Sequence, residues 1–328
     1  MTGRVTSFEV AKRAGVSRSA VSRVFTPGAS VSEKTARKVR EAATALGYRP
    51  NVLARSLLTG KSRIIGLVVG YLDNHFYPVV LEKLSNALQA EGYHVMIFMA
   101  ADLDRSVRRV TEELLDYQVD GLIMASISMT SNMVKWAEEL GVPVVLFNRR
   151  DMARAATSVV SDNLAGGRLA AAHLMAAGHR RIAYVAGSAV ASTQRDREEG
   201  FVKALGDAGR SLWRRVDGGF DADQTRAAVR SLLDQPERPD AVFAANDLMA
   251  FVLMDVARYE SGLNIPDDLA VIGFDDVPAA SWPSYDLTTV RQDAGAMVAE
   301  AVSLVLSPRK GPVQAVLPVE LIKRASTL

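Results

Sequence analysis

A short helical segment carries side chains with the chemistry needed to read a nucleic acid. When the apolar residues of this segment pack into a small core, four polar residues remain exposed to solvent: Arg18, Ser19, Ser22 and Arg23. An arginine guanidinium donates two parallel hydrogen bonds, which match the two acceptor atoms on the major-groove edge of guanine. The alternative is a solvated polar face on a small helical bundle.

A second set of polar and aromatic residues follows the apolar runs in the rest of the chain. Carboxylates accept hydrogen bonds from hydroxyl groups, a guanidinium donates a fork of two, amides do both, and aromatic rings cover a ring face. Such residues converging on one crevice suit a polyhydroxylated ligand. The set contains Asp73, Asn74, Phe76, Tyr77, Asn148, Arg149, Arg195, Arg197, Phe220, Asn246, Asp247, Asp275 and Asp276.

Charge is divided unevenly between the two parts of the chain. The 328 residues carry a net charge of +2. Residues 1–60 hold 11 Lys and Arg against 3 Asp and Glu, which gives +8, whereas the other 268 hold 28 against 34, which gives −6. A basic segment joined to a mildly acidic body indicates a nucleic-acid-binding module fused to a module with another task.

Start signals divide the basic segment into three short helices. Thr6 and Glu9 form the T-x-x-E pattern of a capping box for the first helix. Ser17 is placed to cap a second helix and Ser32 a third. The first two helices are separated by only three or four residues, a spacing typical of a helix-turn-helix. The predicted core consists of Val10, Ala14, Val21, Val24, Val39 and Leu46.

The rest of the chain alternates apolar runs with helical patterns. One group of runs predicts strands over 64–69, 94–99, 121–125 and 142–147, and a second group predicts strands over 181–187, 241–245 and 269–274. Alternation in two successive sets predicts an α/β body of two doubly wound parallel sheets, with a cleft between two lobes. Ligands of such folds bind beyond the carboxyl ends of the strands.

Several other classes of protein are excluded by composition and motifs. The chain has no cysteine, which excludes disulfide scaffolds, thiol nucleophiles and cysteine–zinc sites. Its four histidines lack metal-ligand spacing, and no nucleophile-elbow, phosphate-loop or metalloprotease motif occurs, so we expect neither an enzyme nor a cofactor. Without a secretion signal or a membrane-length apolar run, we expect a cytoplasmic protein and not a sugar-binding protein of transport.

The basic segment resembles the head of the lactose-repressor family of bacterial transcriptional regulators. The resemblance lies in VTSFEVAKRAGVSRSAVSRVF and VSEKTARKVREAATALGYRPNVLARSLLTGK. It continues through SDNLAGG at 161–167, AAND at 244–247, GFDD at 273–276 and LTTVRQD at 287–293. It therefore covers essentially the whole chain.

The resemblance implies three segments with separate tasks. An all-α helix-turn-helix DNA-binding head over 1–49 is joined by a hinge over 50–61 to an effector-binding body over 62–328, which is similar to periplasmic sugar-binding proteins. The lobes of the body are expected at about 62–160 with 291–318 and at about 161–290 with 319–328. The implied protein is a homodimer, because the apolar heptads that tetramerise the lactose repressor do not follow PVELIKRAS.

The implied function is ligand-controlled transcription regulation, most simply repression of carbohydrate-use genes. A small polar effector, a sugar or sugar derivative, would control the affinity for a palindromic DNA operator. The family's base-contacting positions fall on Arg18, Ser19 and Arg23. Its phosphate-contacting positions are Thr6, Ser17, Ser22, Ser32 and Thr35, and short hydroxyl side chains at helix N-termini suit that role.

The segment after Pro50 has two interpretations. From the residues alone, a helix of about seven residues capped by Asn51 is too short to be stable in water, so a flexible linker is one of them. The resemblance implies instead a hinge helix that folds only on operator DNA, with Leu57 as a wedge in the minor groove. The implied hinge residues are Asn51, Ala54, Arg55 and Leu57.

The family's effector-contacting positions lie among the residues that follow the strands. They fall on Phe76, Tyr77, Asn148, Arg197, Phe220, Asn246, Asp275 and Gln292. Asn148 departs from the lactose repressor, which has a carboxylate there, and this difference argues against galactosides.

Several of these and neighbouring residues have structural alternatives. Phe76 and Tyr77 could belong to the core, and Trp282 could stack on the effector or lie in a core or interface. Asp247 and Asp276 could cap the helices that follow them. The expected surface charge is Arg195, and the expected caps of a helix over 164–177 are Asp162 and Asn163.

Overall fold

The computed structural model of the chain describes residues 5–26, 28–49, 61–100, 104–127, 139, 141–151 and 153–327, with side chains left out over 104–108. The chain divides into two compact units, Met1–Arg63 and Ile64–Leu328. The hinge residues Asn51, Ala54, Arg55 and Leu57 lie outside the described residues.

The described part of the first unit contains three helices, as the sequence predicts. They are α1 (Ser7–Ala14), α2 (Arg18–Val24) and α3 (Glu33–Leu46). The predicted caps are present at all three helices. At the first, the backbone N–H of Thr6 donates to the Glu9 carboxylate at 2.7 Å. The hydroxyl oxygens of Ser17 and Ser32 accept backbone hydrogen bonds of 3.2 and 3.3 Å. Each bond satisfies a helix-terminal N–H group that has no partner within its helix.

A small apolar core holds the three helices together. Val10, Val21 and Val39 are completely buried, as predicted. The core also buries two alanines of α3, Ala42 and Ala43, which the sequence analysis did not include. The other predicted members, Ala14, Val24 and Leu46, are partly buried and pack against its margin.

The described residues of the second unit form two six-stranded sheets, one in each lobe. The first sheet is parallel throughout and has the order β11-β5-β4-β3-β1-β2. Its strands are β1 (Ile64–Val69), β2 (His94–Met99), β3 (Gly121–Ala125), β4 (Val144–Phe147), β5 (Ser158–Ser161) and β11 (Gln314–Leu317). Among the described residues, the helices of this lobe are α4 (Phe76–Ala90), α5 (Asp104–Asp116) and α10 (Ala294–Leu306).

The second sheet has the order β12-β10-β9-β8-β6-β7, in which only β12 runs antiparallel. Its strands are β6 (Ile182–Ala186), β7 (Arg214–Asp217), β8 (Ala241–Ala244), β9 (Ala270–Asp275), β10 (Thr288–Gln292) and β12 (Val319–Ile322). The helices described in this second lobe are α6 (Asn163–Ala176), α7 (Ser192–Asp207), α8 (Ala222–Leu233) and α9 (Asp247–Asp255). Shorter helical turns cover Val256–Glu260, Pro278–Ser281 and Ala325–Thr327.

The seven predicted strands are confirmed, but five further strands were missed. The missed strands β5, β7, β10, β11 and β12 have only four or five residues each, and most include polar or charged residues, so no apolar run marks them. The chain passes between the sheets after β5, after β10 and between β11 and β12. The second passage follows β10, which ends at Gln292.

Two glycines let α6 and α7 pack with their backbones in contact. A Cβ atom on Gly167 would lie 2.2 Å from the carbonyl oxygen of Arg197, and one on Gly200 would lie 2.1 Å from that of Leu164. Neither space admits a methyl group, so larger side chains would separate the helices. This close packing fixes the part of α7 that carries Arg197.

Candidate functional site

The exposed face of α2 carries the predicted base-contacting residues. Arg18, Ser19 and Arg23 are all exposed, and Ser22 lies exposed beside them. The Arg23 Nε donates to the Ser19 carbonyl at 3.4 Å, and the Ser17 and Ser19 hydroxyls are 2.9 Å apart. Neither arginine forms an ion pair with the described residues, so both guanidinium groups are available to an external partner.

Most of the predicted phosphate-contacting residues lie where the three helices begin. Thr6 precedes α1, Ser17 precedes α2, and Ser32 precedes α3 with Thr35 in its first turn. The Ser32 hydroxyl donates to Thr35 at 2.9 Å. Exposed N–H groups and the positive end of the helix dipole make such positions favourable for phosphate.

In the second unit, the Asp275 carboxylate lies at the centre of a buried polar cluster. Asp275 is the last residue of β9 and is 3% exposed. It accepts hydrogen bonds from Asn74 Nδ2 at 2.8 Å and Gln292 Nε2 at 2.6 Å, and Arg197 Nη2 lies 3.5 Å away. Burial raises the pKa of Asp275, and the Arg197 charge opposes that rise.

Three contacts within the second lobe hold the Arg197 guanidinium. Its Nε donates to Asn163 Oδ1 at 2.8 Å and its Nη1 to the Ala245 carbonyl at 2.6 Å. Its central carbon lies 3.6 Å from the ring centroid of Phe274. These contacts hold a buried cation beside Asp275 in one orientation, where it can donate to a ligand oxygen.

Three predicted effector residues meet in the first lobe. Asn148 Nδ2 donates to the Tyr77 hydroxyl at 3.2 Å. The rings of Phe76 and Tyr77 meet edge to face with centroids 5.7 Å apart, and both residues belong to the core, which was their structural alternative. Asn148 has a φ of 60°, a left-handed conformation that turns the chain directly after β4.

Three buried polar atoms of predicted effector residues have no hydrogen-bond partner among the described residues. They are Asn148 Oδ1 in the first lobe and Asn246 Nδ2 and Gln292 Oε1 in the second. Each belongs to a residue that follows or ends a strand, as the effector positions were predicted to do. Because buried polar groups are normally paired, these atoms are candidates for hydrogen bonds to an external partner.

Phe220 lies against the end of β6. Its ring occupies the space beside Gly187, where a Cβ atom would lie 2.2 Å from the ring. The residue is half-buried and has a φ of 66°. Gly187 therefore provides the space into which this predicted effector residue fits.

The helix-capping interpretation is wrong for Asp247 and Asp276. Asn246 caps α9 instead, since its Oδ1 accepts from the Met249 N–H at 2.9 Å. Asp247 is completely buried and accepts from the Val277 N–H at 2.9 Å and the Thr289 hydroxyl at 2.5 Å. Burial, followed by the Asp275 charge, raises its pKa well above the usual range.

Asp276 instead binds two arginines of the same lobe. Arg291 Nε and Arg324 Nη2 each donate to its carboxylate at 2.7 Å. Both arginines come from segments that the sequence analysis did not recognise as strands or their continuations. Asp276 therefore contributes to the ion pairs of the second lobe.

The other structural alternatives have different outcomes from residue to residue. Asp162 caps α6 as predicted, with a 2.8 Å bond from the Ala165 N–H, whereas Asn163 is the Arg197 partner described above. Arg195 donates to the carbonyls of Ala189 and Val190 in its own lobe. Trp282 is 55% exposed, which excludes a core role within this chain.

An ion pair that the sequence did not predict joins the two lobes. Arg150 follows β4 in the first lobe, and its Nη2 donates to both Asp196 carboxylate oxygens at 2.8 and 2.9 Å. Asp196 belongs to α7 of the second lobe. No sequence pattern relates residues 46 positions apart in different elements, so this contact was visible only in the structure.

Neither a metal site nor a membrane span was found in the described part of the chain. No group of three or more His, Cys, Asp or Glu residues there could hold a metal ion. None of the helices described is long and apolar enough to cross a membrane.

Comparison with known proteins identifies the family. A pattern described as "Bacterial regulatory proteins, lacI family" matches residues 8–51, and one described as "Periplasmic binding protein-like domain" matches residues 171–327. The regulator DegA of Bacillus subtilis is 31% identical over 334 residues, covering 99% of this chain and 98% of DegA. The chain belongs to the LacI family. It is thus a DNA-binding transcriptional repressor regulated by a small-molecule effector.

Further relatives of this LacI-family chain agree in sequence and in fold. The transcriptional repressor PurR of Vibrio atlanticus is 30% identical, covering 87% of this chain and 86% of PurR. The Lac repressor dimer, solved with operator and the anti-inducer ONPF, has a TM-score of 0.89 and 29% identity, with 99% of this chain and 100% of that one covered. The predicted fold class, a helical head with a two-lobed α/β body, is confirmed.

Proposed function

We propose that this chain is a homodimeric repressor of carbohydrate-use genes, released from or recruited to a palindromic operator by a sugar or sugar derivative. The observation that carries the proposal is the Asp275 cluster. Its central carboxylate binds Asn74 of the first lobe and Arg197 and Gln292 of the second. A ligand bound at Asp275 therefore contacts both lobes at once.

The chemistry of the cluster suits a ligand with several hydroxyl groups. Asp275 accepts from hydroxyls and Arg197 donates to ligand oxygens. The three unpartnered atoms on Asn148, Asn246 and Gln292 offer two acceptors and one donor. The aromatic residue proposed to cover a ligand face, as in other pockets with a few convergent polar groups, is Phe220, because Phe76 and Tyr77 belong to the core.

The proposed DNA interface combines the exposed face of α2 with the helix N-termini of the head. Arg18, Ser19 and Arg23 would contact bases in the major groove, with the backbone held by Thr6, Ser17, Ser22, Ser32 and Thr35. The hinge residues Asn51, Ala54, Arg55 and Leu57 would occupy the minor groove at the centre of the operator. The charge of +8 on residues 1–60 supports this division into head, hinge and body.

Effector control follows from the different contacts that a ligand makes in different lobe arrangements. Asn74 and a ligand hydroxyl compete for the same Asp275 carboxylate, so ligand binding changes the contacts between the lobes. A ligand changes operator affinity only by the difference between its affinities for the two states, typically about 1–3 kcal/mol.

Selection of an operator from random duplex DNA tests the DNA-binding part of the proposal. We expect enrichment of a palindrome whose binding weakens steeply as salt increases, because Lys and Arg displace counterions from the phosphates. No enrichment, or an operator complex insensitive to salt, would contradict it. A thermal-shift panel of sugars, sugar phosphates and nucleosides tests the ligand class, with Asp275→Ala as the control.

A further inference from the structure

Arg150 and Asp196 form a bidentate ion pair between the lobes. Arg150 Nη2 lies 2.8 Å from Asp196 Oδ1 and its Nε lies 3.2 Å from Oδ2. The backbone N–H of Arg150 also donates to the Ser192 hydroxyl at 3.1 Å. Side chain and backbone of one residue in the first lobe are therefore both bound to α7 of the second.

The pair is shielded from solvent. The side chains of Arg150 and Asp196 are 19% and 14% exposed. By contrast, the ion pair of Lys203 and Asp207 on the same helix α7 leaves both side chains 65% exposed. Parallel N–H···O bonds give a guanidinium–carboxylate pair directional specificity, and partial burial protects it from screening by salt.

The position of the pair relates it to the effector residues without making it one of them. Arg150 lies two residues after Asn148, and Asp196 immediately precedes Arg197. Each partner therefore shares a short stretch of backbone with a proposed effector residue of its own lobe. When the ion pair forms, these two stretches are held close together.

We propose that Arg150 and Asp196 are positioning residues that hold the two lobes at their closed spacing. This inference rests on the proposed function only in so far as closure serves an effector. Asp196 accepts from Arg150 with both carboxylate oxygens, so the pair needs no ligand to form. The Asn74–Asp275 bond differs, because its carboxylate is also the proposed ligand-binding group.

The Asn74–Asp275 bond and the Arg150–Asp196 pair thus have separate roles. An incoming ligand competes with Asn74 for Asp275, whereas it leaves the Arg150–Asp196 pair intact. The pair sets how much of the protein is closed before ligand arrives, and apparent ligand affinity scales with that fraction.

Distance measurements between spin labels test the proposal without DNA or effector. The chain has no native cysteine, so Glu82→Cys on α4 and Asp223→Cys on α8 place one exposed label on each lobe. Dilution with unlabelled protein restricts the signal to pairs within one chain. We expect one short distance in the otherwise unchanged protein. Arg150→Ala or Asp196→Ala should raise the population of longer distances about fivefold or more.

Three further variants make the test specific. The charge-exchanged protein, Arg150→Asp with Asp196→Arg, should regain the short distance, and the double variant Arg150→Ala with Asp196→Ala should match either single variant. Lys203→Ala, which breaks the exposed pair on α7, should change nothing. Thermal unfolding confirms that each protein is folded, and the double variant, which leaves no buried charge, keeps the test available if a single variant unfolds.

Unchanged distances in the folded single or double alanine variants would overturn the proposal. So would a charge-exchanged protein as open as the single variants. Neither result bears on the proposed function, which is tested by operator selection. Conversely, failure to select an operator would leave the distance result standing.

Discussion

Asn74 and Asp275 are 201 positions apart in the sequence, yet the Asn74 amide donates a 2.8 Å hydrogen bond to the Asp275 carboxylate. Asn74 precedes α4 in the first lobe, and its Oδ1 also accepts from the Phe76 N–H at 3.0 Å. Asp275 ends β9 in the second lobe. One amide side chain therefore shapes the start of a helix and joins the two lobes at the proposed effector site.

Replacing this amide by a carboxylate should destabilise the protein in a pH-dependent way. Asn74→Asp keeps the acceptor for Phe76 but places a second negative charge against Asp275, so we expect a loss of about 1–3 kcal/mol at pH 7. The loss should shrink on acidification, as one carboxyl of the pair becomes protonated. Thermal unfolding between pH 4 and pH 8 measures it. Asn86→Asp, on the exposed surface of α4, is the control, and an equal effect there would argue against the contact.

Arg23→Ala should relax base specificity at a single operator position. Loss of a guanidinium that donates to one base should cost about 1–3 kcal/mol with the matched operator, and little with an operator already mismatched there. Ser22→Ala on the same helix is the comparison, because losing a phosphate contact weakens all operators alike. Binding titrations with single-base operator variants separate the two patterns. A uniform loss in Arg23→Ala would show that it does not read a base.

Gly200→Ala should destabilise the second lobe, whereas Gly206→Ala on the same helix should not. The first substitution places a methyl group 2.1 Å from the Leu164 carbonyl oxygen, and the helices must separate at a cost of about 1–3 kcal/mol. Gly206 has nothing within 4 Å of the added carbon. There the exchange should stabilise by about 0.4–1 kcal/mol, by restricting the unfolded chain. Urea unfolding of both variants gives the comparison, and equal midpoints would refute the close packing.

The buried Asp247 carboxyl should make stability decrease as pH rises. Its pKa in the folded state is raised by burial, so its contribution is fully present below the ordinary Asp pKa of about 4 and is lost as the pH rises toward the raised value. In the Asp247→Asn variant, the side-chain amide at this position cannot ionise. The free energy of unfolding of the unmodified protein should therefore fall relative to that of the variant above pH 4. Parallel curves for the two proteins would contradict the raised pKa.

Much of the fold could be predicted because its signals are local. Ser17 and Ser32 stand directly before the helices they cap, and the apolar runs that form β1 and β9 stand out against polar neighbours. Strands such as β7, with the sequence RRVD, gave no signal, because their place in the sheet comes from pairing with a distant neighbour.

Many residues of the candidate site could be predicted from the sequence, but the contacts between them could not. Strand ends and family resemblance both indicated Asp275 and Arg197, whereas the role of Asn163 as the Arg197 partner was hidden because SDN also matches a helix cap. Asp247 was misinterpreted for a similar reason. A carboxylate at a helix start has the same sequence signature whether it caps that helix or, as here, holds a neighbouring loop.

We propose that a ligand bound at Asp275 controls operator binding. Fluorescence anisotropy with the selected operator tests it most directly, using a compound that raises the melting temperature in the thermal-shift panel. We predict that this compound changes the operator Kd of the unmodified protein by about 5- to 150-fold. Asp275→Ala should bind the operator normally and show no response. An unchanged operator Kd in the unmodified protein, or an equal response from Asp275→Ala, would show that a ligand at Asp275 does not control operator binding.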